Sequence, residues 1–173
     1  MSRNARFAWR SGSEESKKLT AEGYILARMS DGARLLAGVR SVVLIDWPSR
    51  DVPDALARAG FTVISNDGPD EYNAYEVDGG VVTPRDVGHL PDRADLVYTH
   101  RPIDELPEIV ETARALGAKA IWLQSGRDAS GAKDPRGCWL SAEDSRKARE
   151  IVERAGLHYT EAPYIADAAR DRG

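Results

Sequence analysis

The 173-residue chain contains a single cysteine, Cys138. No internal disulfide can form, which fits a reducing compartment and excludes a disulfide-stapled fold. An excess of basic residues is also missing: 24 Lys and Arg face 28 Asp and Glu, for a net charge of −4. General nucleic-acid binding therefore has no electrostatic support, although a local basic pocket for a phosphorylated small molecule stays compatible. The apolar runs are strand-sized, so no stretch qualifies as a membrane span. The opening MSRNARFAWRSGSEESKK has no apolar core of the signal-peptide kind. These absences predict a cytoplasmic protein. No GxxxxGK[ST], GxSxG or CxxC occurs. His89, His100 and His158 show no ligand spacing, so no metal site is expected.

Hydrophobic content of 42% and charged content of 30% are ordinary for one globular domain of this length. Residues 1–18 form a polar arm whose only large apolar groups are Phe7 and Trp9. These belong either to a tail or to a contact with a neighbouring subunit or protein partner. A helical pattern follows from Leu19 to Leu36, broken at Asp31-Gly32. Then a unit recurs. Apolar runs at Val42–Ile45, Phe61–Ile64, Leu96–Tyr98, Ala120–Leu123 and Leu157–Thr160 read as strands. Helical stripes at Val52–Ala59, Ile103–Ala113 and Ala148–Ala155 lie between them. Each stripe stops on a glycine (Gly60, Gly117, Gly156) and runs straight into a strand, as a left-handed position past a helix end allows. Ser141, followed by Asp144, is placed to cap the last helix.

Strands alternating with such helices imply right-handed crossovers and a parallel sheet covered on both faces. The expected fold is α/β: a Rossmann-like doubly wound parallel sheet in a single domain. Residues 1–33 are expected to form an N-terminal arm and helix, and residues 34–173 the Rossmann domain. In such sheets ligands bind outside the carboxyl ends of the strands, where strand order reverses. That rule alone selects Asp46, Trp47, Pro48, Ser49 and Arg50, then Asn66 and Asp67, then His100 and Arg101, then Gln124, Ser125 and Gly126.

The same strand ends carry a resemblance. AKAIWLQSG (118–126) resembles the AKxxWLQxG strand of the small CoA-binding protein family. ADLVYTHRPIDELPEIVETARALG (94–117), AGFTVISND (59–67), RLLAGVRSVVLI (34–45) and ERAGLHY (153–159) resemble further units of that family, in order, over roughly residues 34–162. The resemblance implies the fold shared with the CoA-binding domain of succinyl-CoA synthetases. It also implies a non-catalytic binding protein for coenzyme A or acyl-CoA, with the nucleotide across the strand ends. Two departures stand out. The family's Gly-x-Ser turn after the first strand is here Asp46-Trp47-Pro48-Ser49, without glycine. Its paired arginines are His100-Arg101.

Under that reading Arg101 serves phosphate, Asn66 ribose or adenine, and Gln124, Ser125 and Gly126 backbone-proximal contacts. Ser49 and Arg50 serve the first helix end, where Ser49 is a candidate cap. Each has a structural alternative: an ion pair for Arg101, turn chemistry for Asn66, backbone support for Gln124. Residues 125–141 are an insertion relative to the family, long for a strand-to-helix loop. Its Arg127, Lys133 and Arg136 could replace lost phosphate contacts, and Trp139 is expected to anchor its far end. Two alternatives stay open. One is a degenerate member acting through protein contacts, as a homodimer or with another protein, with Trp47 plugging the crevice. The other is an enzyme using Asp46 and His100 as an acid–base pair. Cys138 has no arranged His/Asp motif near it in sequence.

Overall fold

The computed structural model describes residues 30–128 and 130–172. The arm with Phe7 and Trp9, and the pattern before Ser30, lie outside the described residues. The chain begins with α1 (Asp31–Ala37), whose N-cap Ser30 accepts a hydrogen bond from the Ala33 amide. Asp31-Gly32 thus opens this helix, and the helix runs across the expected 33/34 boundary.

The order continues as β1 (Ser41–Ile45), α2 (Asp51–Arg58), β2 (Thr62–Gly68), β3 (Glu71–Asp78), β4 (Val81–Asp86) and β5 (Leu96–Thr99). A short 3-10 turn (Ile103–Glu105) leads into α3 (Leu106–Ala115). Then come β6 (Ala120–Leu123), α4 (Ala142–Arg154), β7 (His158–Thr160) and α5 (Ile165–Arg170).

One seven-stranded sheet results, ordered β4-β3-β2-β1-β5-β6-β7. Strands β2, β1, β5, β6 and β7 are parallel. The chain steps from β1 to β2 on one side and later to β5 on the other, so the strand order reverses at β1. This is the doubly wound arrangement expected from the sequence. The β3–β4 hairpin adds two antiparallel strands beyond it. Its tight turn, Asp78-Gly79-Gly80, uses two glycines at positive φ. Pro84 sits in the outermost strand, β4, the part of a sheet that tolerates a missing N–H.

Register and pleat divide the core. Leu44, Tyr98 and Trp122 lie side by side and face Leu36, Val52, Leu56 and Ile165 from α1, α2 and α5. Val43, Val97 and Ile121 face the other way, onto Leu106, Val110, Ala113 and Val152 from α3 and α4. A fully buried Leu or Ile contributes roughly 2 kcal/mol by leaving water, so both faces are firmly held. Trp122 is completely buried. Gly60, Gly117 and Gly156 all take positive φ just past their helices. Ser141 caps α4, accepting from the Asp144 amide at 3.0 Å. No helix among the described residues is long and apolar enough to cross a membrane.

Candidate functional site

The chain leaves β1 through Asp46, whose φ is +62°. A non-glycine residue there is unusual, and Asp is one of the few side chains that tolerate it. The turn has therefore kept a backbone shape suited to glycine while acquiring a carboxylate. Pro48 follows, with no N–H to offer. The N-cap of α2 is Arg50, with no side-chain cap bond. The expectation that Ser49 caps this helix is corrected. Its hydroxyl lies 3.3 Å from the Tyr164 hydroxyl, because Arg50 already adopts helical angles and moves the cap one residue on. Arg50 turns away too, to Asp54 and the Val82 carbonyl.

Beside this turn, on the α3 side of the sheet, lies a cleft of about 750 Å³. Its walls are the β1 turn (Ile45, Asp46, Trp47), the end of β2 (Asn66 to Pro69) with Tyr72, and α3 with its approach (Arg101, Glu105, Glu108, Ile109, Thr112). Four carboxylates line it, Asp46, Asp67, Glu105 and Glu108, against one guanidinium. That guanidinium is committed. Arg101 donates to both Glu105 carboxylate oxygens, at 2.7 and 3.0 Å, and reaches Asp46 at 4.0 Å. Glu105 accordingly raises the Arg101 pKa. Asn66 accepts from the Gly68 amide at 3.3 Å, a local turn bond that leaves its amide nitrogen toward other partners.

Five of the twelve sequence candidates thus meet at the cleft: Asp46, Trp47, Asn66, Asp67 and Arg101. Trp47 packs against the core beside the cleft and leaves it open, which weighs against a plugged crevice. The sequence candidates did not include Tyr72, Glu105, Glu108 or Thr112. The Arg101–Glu105 spacing of four was the one signal that could have found Glu105.

Gln124, Ser125 and Gly126 are buried and spend their bonds on the protein. The Gln124 side chain accepts from the Ile165 amide at 3.0 Å and donates to the Ser125 carbonyl at 3.1 Å. The Ser125 hydroxyl donates to the Glu161 carbonyl at 2.9 Å. Gly126 exchanges backbone bonds with Cys138 and Asp134. Their role here is to hold the inserted loop and the start of α5. Among the loop cations, Arg136 is bound to Asp134 and Asp167, and Arg127 stacks 4.7 Å over Trp139. Trp139 is 58% exposed, so it shields Arg127 rather than anchoring in the core.

The loop does bring Cys138 back to the sheet. Ser125 and Cys138 form a β-bridge, which places the thiol 3.3 Å from His100 Nε2. Sequence spacing gave no hint of this pair. Burial lowers the His100 pKa, with the Asp46 charge opposing. Burial and Asp46 both raise the Cys138 pKa. The resting pair is thus a neutral imidazole and a neutral thiol. No hydrogen bond or ion pair joins Asp46 to His100 among the described residues; the two act on each other through charge alone.

The CoA binding domain family matches residues 44–166, most of the chain. This chain belongs to that family. The match begins in β1 and ends in α5, so it takes in the cleft, the hairpin and the inserted loop. A solved structure from Thermus thermophilus shares the fold, with 18% identity, a TM-score of 0.50, and coverage of 80% of this chain and 94% of that one. A conserved hypothetical protein from Pyrococcus furiosus is 20% identical, with a TM-score of 0.44 over 74% of this chain and 97% of that one. Among curated proteins no relative matches.

Membership of the CoA-binding family raises the question of whether CoA fits. A pyrophosphate does not fit the β1 turn of this member. Anion sites of this kind use bare backbone amides and the positive end of a helix. Here a carboxylate, a proline and the first-turn acids Asp51 and Asp54 occupy that place. The cleft beyond the turn is lined by carboxylates rather than by bare amides.

Proposed function

We propose that this member of the family is a binding protein, without chemistry of its own in the cleft, for a CoA-type ligand, CoA or acyl-CoA. The nucleoside end enters the cleft, and the pyrophosphate stays outside the β1 turn. The observation that carries this is the position of Asp67. It ends β2 and lines the cleft, about twenty residues past the first strand's turn, where nucleotide-binding sheets present an acid to ribose hydroxyls. Tyr72 and Trp47 offer aromatic surface to a base.

The excess of carboxylates favours a second reading, a cationic ligand without phosphate. Calorimetry with CoA, adenosine and spermidine separates the two. The nucleoside reading expects CoA and adenosine to bind with affinities within about tenfold of each other. Absence of heat with both at millimolar concentration, in a folded sample, overturns it. Tight spermidine binding in their place establishes the second reading.

A further inference from the structure

We propose that Cys138 and His100 form an acyl-accepting site, in which the Cys138 thiol takes the acyl group of a thioester and the His100 imidazole takes the thiol proton. The site goes beyond the cleft reading and does not depend on it, since any thioester that reaches the thiol has the required chemistry. Cys138 is exposed, and its sulfur lies 3.3 Å from Nε2 of His100, within the reach a nucleophile and its base need. The contact is built into the fold. Gly137 packs so closely on the Ser125 carbonyl that a Cβ has no room, and this close approach lets the loop return the thiol to the end of β5.

A second, independent feature points to a ligand. Tyr98 is completely buried, and its hydroxyl has no hydrogen-bond partner. Such a group costs free energy unless something is meant to meet it. Tyr98 lies in β5 and His100 immediately past the end of that strand. Burial raises the Tyr98 pKa most, and Tyr164, Asp46 and Cys138 add to the rise, so its hydroxyl lies within their electrostatic reach. The variant Y98F tests whether this hydroxyl serves a thioester held at the thiol.

The transfer balances without an oxidant. The Cys138 sulfur bonds to the carbonyl carbon as its proton passes to His100. The adduct then collapses, the bond from carbon to the leaving sulfur breaks, and the leaving thiolate takes the proton back from the imidazolium. The products are S-acyl Cys138 and a free thiol. Asp46 favours the protonated imidazole that forms in between.

The test is intact-mass and peptide mapping of the full chain after incubation with S-acetyl-N-acetylcysteamine, and separately with acetyl-CoA. The small thioester is expected to add one hydroxylamine-labile acetyl group at Cys138. C138S should remain unmodified. H100Q, with its fold checked by urea unfolding, should acylate at least tenfold more slowly at neutral pH, and Y98F should also slow. An unmodified wild type with the small thioester overturns the site. Equal rates in wild type and H100Q overturn the pairing. Acetylation by the small thioester but not by acetyl-CoA upholds the site and removes acetyl-CoA as its acyl donor, leaving the cleft reading to calorimetry.

Discussion

On the α3 side, the parallel strands end in an open cleft whose carboxylates face solvent. On the α2–α5 side, the same strands end beneath a loop that ties up Gln124, Ser125 and Gly126. Asp46 belongs to both: it lines the cleft and acts on His100 and Cys138. Polar residues at strand ends therefore do two jobs here. Those beneath the loop are buried and fix the structure, while those lining the cleft stay accessible even where, as with Arg101 and Asp67, they have a partner in the chain.

The largest test of this contrast is Gln124→Leu. It strands the buried Ile165 amide, and urea unfolding should show a loss of about 1–3 kcal/mol. The cleft should bind as before, because no cleft wall depends on that amide. Asp46→Gly comes next. It removes the charge yet keeps the positive-φ backbone at no steric cost. CoA affinity measured by calorimetry should rise about tenfold, and Asp46→Asn should recover part of the gain. If neither change moves affinity, the acidic turn is not what distinguishes the cleft. Glu105→Gln frees the Arg101 fork and should raise CoA affinity a few-fold in the same assay, with adenosine unaffected.

The smallest effect is in pH. Burial holds His100 below the ordinary imidazole value of 6.5, so the unfolded chain takes up the proton more readily than the folded one. The stability tied to His100 is complete above the unfolded value. It is lost as the pH falls through 6.5 toward the folded value. The urea midpoint should drop from about pH 7 to pH 5.5, and H100Q should drop less. An identical pH profile would place the imidazole outside the buried cluster.

The parallel half of the sheet was legible because its strands are buried on both faces and its helices stop on glycine. Val97, Ile121 and their neighbours leave an apolar run that no loop mimics. The hairpin was not read, although Asp78-Gly79-Gly80 is a strong turn signal. Its strands are largely exposed, with Val77 and Val81 facing solvent, so little apolar pattern marks them. At the site, topology correctly directed attention to the strand ends. It could not say which polar groups turn inward, because Gln124 and Asn66 look alike until their partners are known. The Cys138–His100 contact spans 38 residues and depends on a glycine's lack of a side chain, which no spacing rule reports.

Pro84 has a consequence for how this protein behaves among copies of itself. An outer strand with a full row of free amides is a template for another chain. A proline there interrupts the row, and the neighbouring Arg85 and Asp86 add charge to the same strand. The hairpin thus widens the sheet by two strands and also terminates it. It works as a guard against aggregation at the rim nearest the cleft.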